Sequence, residues 1–302
     1  MTWDSLVGSG LAQAGAVLAE HTTYKLGGPA AYWVVVQRLA DLGRVAEAYG
    51  EEPLPVLIVG RGSNLVIADR GFGGVVLHLS GELARIDTNP PVRAGGGAGL
   101  PQVARAAVKA GRLGLEFMVG IPGTVGGAVR QNAGCFGREI VDVLVEAEVF
   151  DLETGTISIR PPASLDLRDR HSAVTSTEVV VAAKFTTSDG EPATGEASML
   201  EITRWRRAHQ PGGTLNAGSV FKNPPGDSAG RIIDATGLKG MSVGGASVSD
   251  KHANFFVAKP GTKAVDVYRL VREVATRVRE ATGIVLVPEI QFAGNFEEEE
   301  LG

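Results

Sequence analysis

The sequence predicts an α+β protein of two domains, and three observations carry that prediction. Short β-branched runs outnumber helical patterns before residue 188. Around Ser188 to Ser198 the chain turns polar and rich in Gly, Pro and Thr, as a linker or exposed loop would. Beyond it, Val265 to Thr282 carries Val267, Leu270, Val271, Val274 and Val278 on one helical face. The length of 302 residues allows one large or two ordinary domains.

The elements follow in order. Leu6 to Ala19 is apolar, with no Lys or Arg before Lys25 and Asp4 where a signal peptide needs positive charge, so residues 1–19 are expected as an N-terminal helical segment. Val34 to Val36 is a strand. Asp41 to Tyr49 has Leu42, Val45, Ala46 and Tyr49 at helical spacing. Pro55 to Val59 is a buried strand, and Leu65 to Ile67 and Val75 to Leu77 are further short ones. Pro101 to Gly111 is a helix started by Pro and stopped by Gly. Val141 to Phe150 and Thr156 to Ile159 are joined by a hairpin-like turn at Glu153 to Gly155, and Val179 to Phe185 follows. A helix holds Ile202, Trp205, Arg206 and Arg207. Ile284 to Val287 is a strand ended by Pro288. These elements place domains at 20–195 and 196–294, with an acidic, frayed and exposed tail at 295–302.

Composition removes several function classes. Lys and Arg total 29 against 34 Asp and Glu, a net charge of −5, which argues against binding nucleic acid by bulk phosphate attraction. No apolar run approaches the roughly 18–20 residues of a membrane span, so no membrane insertion is expected. A single cysteine, Cys135, excludes an internal disulfide and fits a reducing, cytoplasmic compartment. The five histidines show no ligand spacing, so no metal site is expected. The anomaly is glycine, 41 of 302 residues, about twice the usual ~7 %.

Those glycines cluster. Gly60-Arg61-Gly62-Ser63-Asn64 follows a strand and is either a tight turn or an anion nest of backbone N–H groups. It is neither a Walker loop nor a complete G-x-G-x-x-G, since Leu65 stands at the third glycine. Gly120-Ile121-Pro122-Gly123-Thr124-Val125-Gly126-Gly127 offers flat backbone with Thr124 as its only hydrogen-bonding side chain. Gln131-Asn132-Ala133-Gly134 adds amides able to meet a heterocycle. Two such clusters in one strand-rich domain favour a dinucleotide. Gly95 to Gly97 either joins them or is a plain turn. On this reading Val at Gly123 or Gly126 abolishes cofactor retention, while a glycine in the 190s loop tolerates change.

Fewer residues suggest chemistry. Ser219 follows Gly218 and precedes Lys222 and Asn223, but no nucleophile elbow surrounds it, so hydrolysis is not indicated. Glu289 ends an apolar strand, where a carboxylate is uncommon unless paired or functional. Arg168 to Ser172 concentrates charge and is a solvated loop or a site. His252 is a core or ligand histidine.

Taken together and in order, these motifs resemble one family, the UDP-N-acetylenolpyruvoylglucosamine reductases of early peptidoglycan synthesis. The matching pieces are His21 to Ala30, Gly60 to Leu65, Gly114 to Phe117 leading into Gly120 to Gly134, Ala217 to Pro224, Val248 to Asn254, and Pro288-Glu289. The resemblance implies an FAD-binding domain of the vanillyl-alcohol-oxidase (PCMH) type, then a smaller α/β substrate-binding domain. It implies non-covalent FAD, NADPH as co-substrate, and a UDP-linked enolpyruvyl amino sugar as substrate of a monomeric enzyme. Cofactor candidates are Gly60, Arg61, Gly62, Ser63, Asn64, Gly120, Ile121, Pro122, Gly123, Thr124, Gly126, Gly127, Asn132 and Gly134. Lys222, Asn223 and His252 are the substrate-side candidates.

The implied reaction delivers hydride to C3 of the enolpyruvyl ether and leaves carbanion character at C2 that spreads into the carboxylate. By the family motif Ser219 donates the proton to C2, and Arg170 and Glu289 stabilise the enolate. Glu289 helps only if it carries a proton, so a raised pKa is expected for it. About 65 residues separate Ser219 from the segment before Glu289, too few for the covering insertion of the longer subtype. Asp169 replaces the Tyr usual before the Arg, Gln291 replaces an Arg after Pro-Glu-aliphatic, and Cys135-Phe136 replaces Ala-Tyr. Asp169 and Gln291 support an alternative, an FAD-binding paralogue of weakened or different activity.

Overall fold

The computed structural model describes residues 1–300 and divides them into two compact units. The first comprises residues 1–15, 31–60 and 74–205; of the described residues, the second comprises 16–30, 61–73 and 206–300. Contiguous domains at 20–195 and 196–294 therefore do not describe the packing, because two early segments group with the C-terminal chain.

The first unit is built on two sheets. A five-stranded antiparallel sheet runs Thr156–Arg160, Leu144–Asp151, Glu178–Phe185, Val92–Gly95, Ile86–Asp87. A mixed four-stranded sheet runs Ala12–Ala14, Ala30–Val36, Phe72–Leu79, Val56–Ile58. Glu178–Phe185 is covered on both faces, which is why its middle, Val179 to Ala183, reads as a continuous apolar run. Val179 and Val181 enter the core shared with Leu42 and Val45 of the helix Leu39–Glu51. Val180, Ala183 and Phe185 enter the core shared with Val103 and Ala107 of the helix Leu100–Lys109. The alternation changes parity after Val181, where Val149 and Glu148 pair with Val180 and Ala182 and the register shifts by one residue.

The second unit wraps one core around the helix Ala264–Thr282. Val267, Leu270, Val271, Val274 and Val278 are buried together, the face the periodicity predicts. Its first turn is capped from far along the chain, since the Asp69 carboxylate accepts from Ala264 N and Val265 N at 2.8 and 3.1 Å. Gly283 ends it at φ +74°. A three-stranded sheet, Ser242–Val243, Ala246–Val248, Phe256–Ala258, lies in the same unit. Gln291–Ala293 pairs in parallel with Leu65–Ile67.

Five expected elements differ. The N-terminal segment is helical only over Trp3–Gly8, then forms the strand Ala12–Ala14, because Gly10 and Gly15 turn the chain at φ +76° and +68°. The polar stretch after Ser188 enters the helix Pro192–His209, with Gly195 packed where a Cβ would meet Val108 at 2.7 Å and Leu113 at 2.9 Å. The strand Val56–Ile58 is half-buried. Ile284 to Val287 joins no ladder and exposes Val285 and Val287. The acidic tail forms the helix Phe296–Glu300, in which Phe296 is buried and stacks on Tyr268 at 4.9 Å. Glu299 there accepts from the N–H groups of Asp69 and Arg70. Residues 301 and 302 lie outside the described residues.

Candidate active site

In the second unit a short segment, Ser219 to Lys222, is held between two others. Val220 N donates to Asn254 O at 2.9 Å, and Ser219 bridges Phe255. On the opposite edge Glu289 N donates to Val220 O at 2.7 Å and Lys222 N donates to Val287 O at 2.9 Å. Half-buried Ser219 and half-buried Glu289 are thereby fixed on adjacent backbones. Gly218 must be glycine, since it enters at φ +75° and its N–H is caught by Asn216 Oδ1 at 3.0 Å. Thr23 in turn donates to Asn216 O at 2.6 Å.

Two residues not singled out from the sequence build this scaffold. Asn254 is buried, and its amide accepts from Phe221 N at 2.9 Å and donates to Phe221 O at 2.8 Å. Tyr24 is fully buried and donates to Phe256 O at 2.8 Å. Burial pushes its phenol pKa upward, partly offset by a backbone hydrogen bond at Ala217. Asn254 lay within a recognised motif, but only tertiary contact distinguishes it from its neighbour His252.

His252 Nδ1 accepts from Asn254 N at 3.2 Å, which leaves the proton of the neutral ring on Nε2. Burial lowers its pKa, and the charges of Lys239 and His209 lower it further. Asn223 is exposed, and its Oδ1 accepts from Ala229 N at 3.0 Å at the start of the helix Ala229–Ala235. Lys222 is half-buried.

The turn at Gly60 to Asn64 is divided, with Gly60 in the first unit and Arg61 onward in the second. Arg61 is exposed and Ser63 half-buried. Gly62 is left-handed at φ +59°, and a Cβ there would lie 2.4 Å from His21 O. Its carbonyl accepts from Thr23 N at 3.2 Å. Asn64 Nδ2 donates to Glu289 O at 3.1 Å, so this amide, expected on the cofactor, supports the segment carrying Glu289.

The first unit holds a narrow cleft with room of about 50 Å³ for water-sized occupants. Gly60, Gly96, Gly97, Thr124, Gly126 and Gly127 line one part of it, bringing together several of the expected cofactor residues. Val59, Leu79, Val174 and Val180 supply apolar walls, and Arg130 and Glu178 its charged groups. Neither Arg130 nor Glu178 was expected. Burial lowers the Arg130 pKa, partly opposed by the charge of Glu178. Burial alone would raise Glu178, but hydrogen bonds from Arg160 and Thr175 N more than offset it and hold the carboxyl below its ordinary range.

Most of the glycines here serve the protein's own packing. A Cβ at Gly96 would lie 1.9 Å from Val180 O, and one at Gly97 2.3 Å from Leu79 O. Gly126 N already donates to Gly96 O at 2.8 Å, and Gly123 O accepts from Leu100 N at 3.0 Å. The N–H of Gly126 is therefore spent on lacing two loops together. Gly127 differs: it is exposed to the cleft, and a Cβ would meet no protein atom nearer than Thr124 Oγ1 at 3.7 Å. That open side leaves room for a flat ring system such as FAD against the backbone. Gly120 is buried, and Ile121 packs on the core while Pro122 stays exposed.

Asn132 and Gly134 do not line this cleft. Asn132 is buried, donates to Glu139 Oε2 at 2.7 Å and Arg168 O at 3.3 Å, and accepts from Val141 N at 2.9 Å. A Cβ at Gly134 would lie 2.8 Å from Arg138 O on the facing strand of a two-residue ladder, in which Gly134 pairs with Glu139. Arg170 is half-buried at the tip of a turn closed by reciprocal bonds between Arg168 and His171. Its NH1 lies 4.0 Å from Asp169 Oδ1, and Asp169 is 68 % exposed. Gln291 is exposed and pairs with Leu65.

No helix among the described residues is long and apolar enough to cross a membrane. Residues 30–159 match the model of an FAD-binding domain, and residues 210–293 match the C-terminal domain of UDP-N-acetylenolpyruvoylglucosamine reductase. UDP-N-acetylenolpyruvoylglucosamine reductase 2 of Symbiobacterium thermophilum is 42 % identical over 280 residues, covering 92 % of this chain and 91 % of that protein. The reductase of Paramagnetospirillum magneticum is also 42 % identical over 280 residues, with 92 % and 91 % covered. The crystal structure of the reductase from Thermus caldophilus superposes with a TM-score of 0.81 at 35 % identity, covering 92 % of this chain and 98 % of that one. With its sequence, two domain models and fold all matching, the chain belongs to the UDP-N-acetylenolpyruvoylglucosamine reductase family.

Proposed function

We propose that this chain reduces the enolpyruvyl group of a UDP-linked amino sugar to a lactyl ether, with NADPH as the reductant and FAD as its cofactor, in peptidoglycan synthesis. Bound FAD supplies hydride transfer from the nicotinamide to the substrate. The apolar walls and the open face of Gly127 suit the cofactor's ring surface, with Gly60 and Thr124 beside it. Ser219 delivers a proton to C2, the guanidinium of Arg170 meets the substrate carboxylate with its planar fork, and Glu289 carries a proton to the same group. Lys222, Asn223 and the Nε2–H of His252 face the uridine diphosphate or sugar. The enzyme works as a cytoplasmic monomer.

The single observation that carries this reading is the set of backbone hydrogen bonds that holds the Ser219 segment against the segment of Glu289, with Glu289 N donating to Val220 O at 2.7 Å. General acids work only when their approach is preset, and here the backbone sets it. The alternative of a weakened paralogue loses force on the geometry of Asp169. An exposed carboxylate 4.0 Å from Arg170 is screened by water and neutralises little of its charge.

The test uses anaerobic protein, reduced by NADPH and mixed with the enolpyruvyl substrate. Ser219→Ala should slow reoxidation of the flavin by about 10²- to 10⁴-fold. Full activity in Glu289→Gln would remove the essential role of that carboxyl. A yellow protein that NADPH reduces and the substrate does not reoxidise would overturn the reading.

A further inference from the structure

We propose that Asn132 is a positioning residue for Arg170, and that the segment Asn132 to Glu139 is a brace for the turn that presents the guanidinium. The proposal rests on the role assigned above to Arg170.

Arg170 occupies an unfavourable backbone state. It sits at φ +50°, a region that L side chains rarely adopt, at the tip of the Arg168–His171 turn. Asp166, four residues earlier, is also left-handed at φ +45°. A non-glycine residue stays there only where its surroundings fix it. Glycine would relieve the turn but would remove the guanidinium.

Hydrogen bonds on both sides of the turn come from one neighbouring segment. On the entering side Asn132 Nδ2 donates to Arg168 O at 3.3 Å. On the leaving side Ser172 Oγ donates to Arg130 O at 2.7 Å. Farther along, Arg130 NH1 donates to Val174 O at 3.0 Å. Both strands of the turn thus hang on the end of the helix Val125–Arg130 and the residues just after it.

Asn132 is itself fixed. Glu139 Oε2 takes its other amide donor at 2.7 Å, and Val141 N donates to its carbonyl at 2.9 Å. Glu139 reaches it because Gly134 lies directly across the ladder, where a Cβ would come 2.9 Å from Glu139 Cγ. Glycine at 134, carboxylate at 139, amide at 132 and carbonyl at 168 form one chain of contacts ending beside Arg170. Both donors of the Asn132 amide are committed within the protein, so its side chain has none left for a cofactor.

Asn132→Gly tests this, because glycine keeps the φ of +41° that Asn132 adopts and removes only the amide. The readout is anaerobic reoxidation of NADPH-reduced holoenzyme by the enolpyruvyl substrate, with flavin stoichiometry and melting temperature measured alongside. Reoxidation should fall about tenfold to a hundredfold, the loss that a misplacement of about 1 Å produces. Arg170→Ala should fall at least as far, and the double variant should be no slower than Arg170→Ala alone. A wild-type rate in Asn132→Gly, multiplicative losses in the double variant, or loss of flavin from Asn132→Gly would each overturn the proposal. A wild-type rate in Arg170→Ala would instead overturn the role of Arg170. Should Asn132→Gly not fold, Ser172→Ala is read the same way: a loss that vanishes in the Arg170→Ala background supports the brace, and an independent loss overturns it.

Discussion

The side-chain amide of Asn254 takes both backbone groups of Phe221, accepting from its N–H at 2.9 Å and donating to its carbonyl at 2.8 Å. It stands in for a strand partner beside the segment that carries Ser219. Replacing it with Ala or Leu strands two buried backbone groups at once. Either variant should lose about 2–4 kcal/mol of stability, read from urea denaturation. Asn254→Asp keeps the acceptor but sets a buried carboxylate against Phe221 O, so at neutral pH it should lose at least as much as Ala.

Gly127 and Gly96 line one cleft, and alanine should act on them in opposite senses. Gly96→Ala drives a Cβ to within 1.9 Å of Val180 O and should destabilise the apoprotein outright. Gly127→Ala meets open space in a helix. It should leave the apoprotein unchanged or more stable by up to about 1 kcal/mol and still weaken flavin retention. Melting curves without flavin, set beside flavin stoichiometry after dialysis, separate the two. Undiminished flavin in Gly127→Ala would remove the ring surface from that wall.

Glu178 is held below the ordinary carboxylate range despite its burial, through Arg160 and Thr175 N. A depressed folded pKa gives a contribution that is complete above the unfolded value of about 4.3 and is lost as pH falls through the folded one. Stability should therefore drop on acidification below about pH 4.3. Glu178→Gln should flatten that limb of the curve and cost about 1–3 kcal/mol at neutral pH, where Arg160 loses its partner. Urea midpoints from neutral to acid pH check both. An acid limb unchanged in Glu178→Gln would assign it to other carboxylates, Glu148 beside Arg93 first among them.

Phe296 anchors the C-terminal helix, 4 % exposed and packed on Tyr268 and Phe292. Phe296→Ala should cost about 3 kcal/mol in thermal or urea unfolding, as for a buried aromatic. A loss below about 0.5 kcal/mol, ordinary for a surface substitution, would return the segment to a loose tail.

Local chemistry fixes what a sequence can announce by itself. The face of Ala264–Thr282, the strand Glu178–Phe185 and the glycine before Ser219 follow from periodicity, β-branching and the need for φ > 0. The ordered motifs also carried the family, its cofactor and its reaction class. Tertiary structure decided where the glycines are used. Gly96, Gly97 and Gly134 are small because other backbone lies against them, a proximity no local pattern encodes. It decided that Asn64 and Asn132, both plausible ligands by residue type, spend their amides on Glu289 O and Arg168 O. It decided that Ile284 to Val287 joins no ladder while Gln291–Ala293 finds a parallel partner more than 200 residues away. Pairing, burial and hydrogen-bond commitment are relations between distant residues. A single chain lists the groups able to enter them, and only the folded chain brings each donor to its acceptor.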